Sequence, residues 1–99
     1  MYEIAFSREA ARELAELRKY DRAAVGRSIV EQLSHEPTTP TKHRKLLSGL
    51  TPPFEAVPPL WQLRVGEYRV FYDVSEEEKK VTVRAIRHKP PHKTTEDVL

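Results

Sequence analysis

The sequence contains no cysteine and few glycines, and it lacks long apolar runs. Without cysteine, disulfide bridges, thiolate zinc sites and cysteine nucleophiles are excluded. Glycine occurs only at positions 26, 49 and 66, too scattered for a phosphate-binding glycine loop or a nucleophile elbow. No apolar stretch reaches the length of a signal peptide or a membrane span. We therefore expect a cytoplasmic protein with no membrane association, and no residue spacing indicates a metal ion or other cofactor.

The 99 residues are enough for one compact domain, which we expect to span residues 1–99. Hydrophobic residues make up 38% of the chain, sufficient for a modest core. The formal net charge is only +2, but it is unevenly distributed. Residues 1–41 carry a net charge of −1 and residues 42–99 a net charge of +3. The second part of the chain is therefore the more suitable for an anionic partner.

The stretch WQLRVGEYRVFYDV, from Trp61 to Val74, alternates apolar and polar residues on both sides of Gly66-Glu67. This pattern predicts a β-hairpin with a type II′ turn. One face of the hairpin is apolar and is expected to join the core: Trp61, Leu63, Val65, Tyr68, Val70 and Tyr72. On the other face Arg64 lies directly opposite Arg69, an arrangement that destabilises a sheet. An anion or acidic partner between the two arginines would explain the pair; the alternative is two solvated arginines.

Two short helices are predicted between a first strand and a proline-rich connection. Tyr2 to Phe6 alternates like a half-buried strand, and Ser7 can cap a helix that runs from Arg8 to about Lys19. Asp21 can cap a second helix, which ends near His35 because Pro37 cannot continue it. No long element fits residues 36–59, although so long a connection in a small domain is more often functional than idle.

A last strand, VTVRAI, is predicted after the hairpin, with Val81, Val83 and Ala85 on one face. A short helix can begin at Thr94 or Thr95. The order strand, helix, helix, strand, strand, strand predicts an α+β fold, in which a helical hairpin packs on one face of a small, largely antiparallel sheet. The opposite face of the sheet, which carries the two arginines, is expected to be uncovered.

The element order, the hairpin phrase WQLRVGEYRVFYDV, the preceding KLLSGL segment and the closing VTVRAIRHK resemble the RelE/ParE superfamily of bacterial toxins from type II toxin–antitoxin systems. The resemblance covers nearly the whole chain and is most specific over residues 60–88. It implies a toxin that a cognate antitoxin neutralises in a toxin–antitoxin hetero-oligomer. RelE-like members cleave mRNA in the ribosomal decoding site without a metal, whereas ParE-like members poison DNA gyrase. The expected function is the first of these; a gyrase inhibitor and an inactive corepressor of the antitoxin are the alternatives.

The resemblance also implies roles for particular residues. Arg69 matches the family arginine that contacts the scissile phosphate, and Arg64 matches a second basic residue on the preceding strand. His88 lies where many members carry a basic residue or histidine. The sequence departs from the family elsewhere: lysines of RelE are replaced by Leu60 and Gln62, and the tyrosine used by some members is replaced in the region of His92 and Lys93.

Cleavage of RNA needs cations that stabilise the phosphorane and groups that move protons. Arg69 and Arg64 are expected to serve as the cations, since a guanidinium can hold two phosphate oxygens. Among the histidines, the residue type whose ordinary pKa is nearest neutrality, His88 is the first candidate for proton transfer, His92 the second and His43 the weakest. Further RNA contacts are expected from Lys42, His43, Arg44, Lys45, Phe71, Arg87 and Lys89. The alternatives are a solvated loop for the basic tetrad at 42–45, surface histidines, and burial of Phe71 under the C-terminal segment.

Overall fold

A computed structural model describes all residues from 1 to 99. It contains five strands and three helices: β1 Glu3–Phe6, α1 Arg8–Ala15, α2 Lys19–Leu33, β2 Arg44–Leu47, β3 Leu60–Val65, β4 Tyr68–Ser75, β5 Lys80–His88 and α3 Thr95–Val98. The strands form one sheet in the order β1-β5-β4-β3-β2. Only β1 and β5 are parallel. The predicted α+β fold with a largely antiparallel sheet is confirmed. None of the helices has the length and apolar character needed to cross a membrane.

The first main helix begins at the predicted residue, Arg8, but ends earlier than predicted, and the second both begins and ends earlier. Ser7 caps α1 as expected, since its Oγ accepts a hydrogen bond from the Ala10 amide at 3.1 Å. The helix ends at Ala15, and α2 begins after Arg18, which makes no side-chain capping bond. The expected cap of α2, Asp21, lies in the first turn instead. Its carboxylate accepts a hydrogen bond from the Tyr68 hydroxyl at 3.0 Å, so it joins α2 to the hairpin.

The main core lies between the helices and one face of the sheet. Its buried members are Ala10, Val25, Ile29, Leu33, Trp61, Leu63, Val70, Tyr72, Val81, Val83 and Ile86. The half-buried Val65 and Tyr68 pack against this cluster. All six residues predicted for the apolar face of the hairpin therefore contribute to the core.

The hairpin has the predicted register. Arg64 pairs with Arg69, and Val65 pairs with Tyr68 across the turn. Gly66 has a φ of +57°, whereas Glu67 stays at negative φ. Positive φ at the first turn position alone is the property of a type II′ turn, which glycine adopts without steric cost.

The sequence did not predict β2, the fourth neighbour in the antiparallel part of the sheet. Its four residues lie inside the proline-rich connection and pair with β3, so that Arg44 is opposite Leu63 and Leu47 is opposite Leu60. The segment RKLL lacks the apolar and polar alternation that would identify a strand. It forms one because β3 offers a free edge.

Ala85 lies on the opposite face of β5 from the one predicted. Tyr72 pairs with Val83 and Phe71 pairs with Ala85, so Arg84 has no partner on β4. An unpaired extra residue of this kind is a β-bulge, and it shifts the alternation of the side chains that follow. Val81 and Val83 therefore face the helices, while Ala85 faces away from them.

The sheet face away from the helices is partly covered, which contradicts the expectation of an uncovered face. A second buried cluster consists of Leu47, Leu60, Phe71 and Ala85. The connection between β2 and β3 packs against it through Leu50, Phe54 and Ala56, and the C-terminal helix does so through Val98 and Leu99. The part of this face next to the arginine pair remains open as a cleft.

Candidate nucleic-acid interface

A cleft of about 490 Å³ lies beside the arginine pair. Its walls come from the loop before β2, from β2 itself, from the hairpin and from the C-terminal segment. None of its 12 lining residues is acidic, and seven are basic: Lys42, His43, Arg44, Lys45, Arg64, Arg69 and Lys89. The basic tetrad of the connection and the arginine pair of the hairpin, which are distant in sequence, therefore form one surface, called here the basic cleft.

The lysines and arginines of the basic cleft have no acidic partners. The ion pairs of the protein all involve other residues, such as Arg84 with Asp73 and Arg18 with Asp21. The positive charge of the cleft is consequently not neutralised from within the chain. A concave surface with charge of one sign concentrates counter-ions and attracts anionic ligands.

Arg69 is the most deeply placed cation of the cleft. Arg69 is 7% exposed, and its Nη1 donates to the backbone oxygens of Gly66 and Tyr68, each at 2.9 Å. Burial lowers the pKa of the guanidinium, and the charge of Arg64 lowers it further. Both causes raise the free energy of the charged form, so an anion in the cleft would be stabilised by Arg69 more strongly than by a solvated arginine.

Arg64 is exposed and stands across the strand pair from Arg69. Its amide donates to the carbonyl oxygen of His43 at 2.8 Å, which fixes the loop before β2 against the end of β3, next to the hairpin turn. The Thr41 hydroxyl accepts from the amides of His43 and Arg44, each at 3.1 Å, and holds the loop in a tight turn. The cleft therefore has a defined wall, although it is built largely from a loop.

Arg44 lines the cleft but uses its guanidinium inside the protein. Its Nε donates to Thr39 O at 2.9 Å, and its Nη1 donates to Gln32 O at 2.6 Å and Gln32 Oε1 at 3.1 Å. These acceptors are neutral, so the guanidinium of Arg44, which is 9% exposed, has no counter-charge. Arg44 thus attaches the loop to the end of α2 and adds to the positive potential.

The preferred histidine, His88, lies on the wrong face of the sheet. It pairs with Tyr68 on the helix side, where its ring edge packs against the tyrosine ring with centroids 5.3 Å apart. Its Nε2 is 3.0 Å from Glu67 Oε1. His88 does not line the basic cleft, because it points to the helix side of the sheet.

The other two histidines reverse the predicted order. His92 is exposed in the turn before α3 and is absent from the wall of the basic cleft. His43, the weakest candidate from sequence, lines the cleft together with Arg64 and Arg69. Its proximity to the arginines depends on the pairing of β2 with β3, which the sequence did not predict.

Two further residues expected to contact RNA are engaged elsewhere. Phe71 is fully buried in the second cluster, so the expectation that it stacks on a base is wrong and the alternative, burial under the C-terminal segment, is correct. Arg87 forms ion pairs with Glu13 and, at 3.6 Å, with Glu9 of α1. Lys42, Lys45 and Lys89, in contrast, line the cleft as unpaired cations.

Gln62 and Thr95 belong to the cleft although the sequence analysis gave them no role. The Thr95 hydroxyl donates to Gln62 Oε1 at 2.8 Å, which joins the C-terminal helix to β3 at the wall of the cleft. The helix begins with a capping box between Thr94 and Asp97. The short helix expected to begin at Thr94 or Thr95 is thus confirmed, and its capping pattern, a threonine followed three residues later by an acid, places Thr95 on an ordered element.

Comparisons with known proteins agree with the resemblance seen in the sequence. The model of a protein family described as the ParE toxin of type II toxin–antitoxin systems matches residues 4–89. The RelBE2 toxin–antitoxin complex of Mycobacterium tuberculosis contains a similar chain, with 26% identity and a TM-score of 0.66 over 89% of this chain and 98% of that one. A search of curated proteins found no significant match.

Two other solved structures have the same fold. The RelE–RelB complex of the archaeon Pyrococcus horikoshii is similar with 25% identity and a TM-score of 0.64, over 94% of this chain and 98% of that one. The isolated RelE toxin of E. coli has 21% identity and a TM-score of 0.70, over 94% and 89% of the two chains. These similarities define the fold as that of RelE-like toxins. Because the family model spans most of the sequence, the chain belongs to the RelE/ParE superfamily of type II toxin–antitoxin toxins.

Proposed function

We propose that the protein is a toxin that cleaves mRNA on the ribosome without a metal ion, and that the basic cleft holds the RNA at the scissile phosphate. The observation that supports this function best is the cleft itself: its lysines and arginines lack acidic partners, and no acidic side chain lines it. RNA presents closely spaced phosphates, and their neutralisation by lysine and arginine supplies much of the affinity for nucleic acid.

In this proposal Arg69 and Arg64 bind the non-bridging oxygens of the scissile phosphate. Charge accumulates on these oxygens as the phosphorane forms, and preorganised cations in a partly desolvated site stabilise that charge. Arg69 is held in place by two backbone carbonyls, so little reorganisation is needed when RNA binds. Lys42, Lys45 and Lys89 bind neighbouring phosphates and position the strand.

We also propose a cognate antitoxin as the partner of the protein. The similar chains from M. tuberculosis and P. horikoshii were solved in complex with antitoxins. On the present chain, the basic cleft suits an acidic segment of such a partner. The outer surface of α2 suits an apolar segment, since Tyr20 is 84% and Val30 is 59% exposed.

Inhibition of DNA gyrase is the second candidate function, because the matching family model is that of ParE toxins. In that case the cleft would bind an acidic surface or DNA and perform no RNA chemistry. A third possibility, an inactive toxin that serves as corepressor of its antitoxin, is favoured by Leu60 and Gln62, which replace lysines found in RelE.

Induced expression in growing cells separates these functions. We expect growth arrest, new mRNA ends within translated regions and intact chromosomal DNA. Arg69→Ala should restore growth, whereas Arg27→Ala, a change at an exposed arginine of α2 without an ion pair, should leave the arrest unchanged. Accumulated DNA breaks with intact mRNA would instead support gyrase inhibition. Normal growth with the wild-type protein in abundance would support the corepressor.

A further inference from the structure

We propose that His43 is the catalytic residue that removes the proton from the attacking 2′-hydroxyl of RNA. The proposal rests on the proposed ribonuclease function and identifies the group that moves the proton in the same cleft. Family resemblance does not point to this residue; its position in the folded chain does.

The backbone at His43 is fixed beside the arginine pair. Its carbonyl oxygen accepts from the Arg64 amide at 2.8 Å, and its own amide donates to the Thr41 hydroxyl at 3.1 Å. The residue is exposed, and its ring nitrogens make no hydrogen bond within the chain. A histidine ring with free nitrogens at the wall of an anion-binding cleft is available to a substrate.

His43 also lines a second hollow of about 320 Å³, which it shares with Arg64, Gly66 and the α2 residues Ser28 and Gln32. His43 therefore lies between this hollow and the basic cleft. An RNA strand that passes over the arginines would leave the cleft at this boundary. A nucleotide that extends from one hollow to the other would bring its ribose next to this residue.

The other groups that could accept a proton are absent from the cleft or committed elsewhere. No carboxylate and no tyrosine lines it. His88 lies on the helix side and is held by Glu67. The remaining side chains of the cleft that can carry a proton between groups are its lysines, among them Lys45.

The proposed reaction is an attack of the ribose 2′-oxygen on the adjacent phosphorus. The imidazole of His43 takes the proton of the 2′-hydroxyl, and the 2′-oxygen forms a bond to phosphorus while Arg69 and Arg64 stabilise the phosphorane. The bond from phosphorus to the 5′-oxygen then breaks, and that oxygen takes a proton from a lysine ammonium of the cleft. The products are a 2′,3′-cyclic phosphate and a 5′-hydroxyl. Solvent water restores the proton of the lysine and accepts that of the imidazolium.

The test is single-turnover cleavage of mRNA by the full-length protein on purified ribosomes, measured across pH. His43→Gln should lower the maximal rate by about 100-fold or more, the usual contribution of a positioned acid or base. Its affinity for the mRNA-loaded ribosome should change little, and the rise of the rate with pH that we expect for the wild type should be absent. The matched control is His35→Gln, which alters an exposed histidine outside the cleft.

A second variant distinguishes chemistry from structure. Added imidazole should restore cleavage by His43→Ala in a concentration-dependent way and should have no effect on Arg69→Ala. Lys45→Gln should weaken ribosome binding and retain the pH profile of the wild type.

Three results would overturn the proposal. Cleavage by His43→Gln at the wild-type rate would exclude His43 while leaving the ribonuclease function intact, provided that Arg69→Ala remains inactive. Loss of affinity without loss of maximal rate would make His43 a binding residue. Absence of cleavage by the wild-type protein would refute the proposed function and this inference together.

Discussion

Two arginines on the same face of the sheet, Arg84 and Arg69, differ in whether the protein supplies a counter-charge. Arg84 donates from Nε to Asp73 Oδ2 at 2.7 Å, and the same carboxylate oxygen accepts from the Val57 amide at 2.8 Å. Arg69 is more deeply buried than Arg84 but contacts only neutral carbonyls, and it lies opposite another arginine. A buried charge is normally paired, because desolvation is costly. The paired arginine therefore serves the fold, whereas the unpaired one is available to an anionic ligand, as we propose.

The same contrast separates two regions of the molecule. On the rim formed by α1 and β5, Arg87 forms ion pairs with Glu13 and Glu9. The basic cleft pairs none of its lysines or arginines, although the chain has nearly as many acidic as basic residues. The positive charge in the second part of the sequence is thus concentrated on one surface of the folded chain, where residues 42–45 lie beside Arg64 and Arg69.

The largest expected effect concerns the paired arginine. Asp73→Ala should lower the free energy of unfolding by about 3 kcal/mol, because it leaves the half-buried Arg84 guanidinium without its counter-charge and the Val57 amide without its acceptor. Urea unfolding followed by circular dichroism measures the change. Glu55→Ala, at an exposed acid without an ion pair, is the control and should be nearly neutral. A loss below about 1 kcal/mol for Asp73→Ala would mean that this pair is not structural.

A somewhat smaller effect is expected at Tyr72, whose buried hydroxyl donates to Pro37 O at 2.6 Å. Tyr72→Phe should cost about 1–3 kcal/mol, since it leaves a buried carbonyl without a donor. Measurement by urea unfolding at pH 8 gives this value directly.

The pH dependence of the same variant sharpens the test. Burial raises the pKa of Tyr72 above its ordinary value of 10.0. The unfolded chain therefore loses the tyrosine proton before the folded protein does, and wild-type stability falls as the pH rises above about 10. The variant lacks this ionisation, so its deficit should shrink by about 1.4 kcal/mol per pH unit above that point. A deficit independent of pH would contradict the burial of the hydroxyl.

A small effect on stability is expected when the unpaired arginine is replaced. Arg69→Leu should change the free energy of unfolding by less than about 1 kcal/mol or increase it, because it removes a buried charge that has no counter-ion. The comparison with Asp73→Ala is the point of this experiment. A destabilisation of about 3 kcal/mol or more by Arg69→Leu would show that Arg69, like Arg84, serves the fold.

The smallest expected effect concerns single lysines of the cleft. Lys42→Ala should reduce the dependence of log affinity for single-stranded RNA on log salt concentration by about 0.7, the value for one lost phosphate contact. Filter binding over a range of salt concentrations provides the slope. Lys19→Ala, at an exposed lysine of α2, should leave the slope unchanged. Equal slopes for both variants would place the RNA outside the basic cleft.

The hairpin could be predicted from sequence because its determinants are local. Alternation on both sides of Gly66 specifies the strands, and the two-residue turn fixes the register that places Arg64 opposite Arg69. The burial of Trp61 and Tyr72 follows from the same alternation. The resemblance to known toxins added the role that we propose for the arginines.

The rest of the site depends on contacts that are distant in sequence. The strand β2 forms because β3 offers an edge, and only this pairing brings His43 and Lys45 to the arginines. The bulge at Arg84 reverses the direction of Ala85, and no periodic pattern reports a bulge in advance. Phe71 is covered by the connection between β2 and β3 and by the C-terminal segment, neither of which alternates regularly between apolar and polar residues. Its burial could therefore be predicted only as one of two alternatives.

The central claim is that the unpaired cations of the basic cleft bind the scissile phosphate. Its most direct test compares cleavage of a defined mRNA on purified ribosomes by the wild type, Arg69→Ala and Arg27→Ala. We expect wild-type cleavage to be retained by Arg27→Ala and lowered by about 100–1,000-fold in Arg69→Ala, the usual cost of removing one group that stabilises the transition-state charge. Undiminished cleavage by a folded Arg69→Ala protein would contradict the claim.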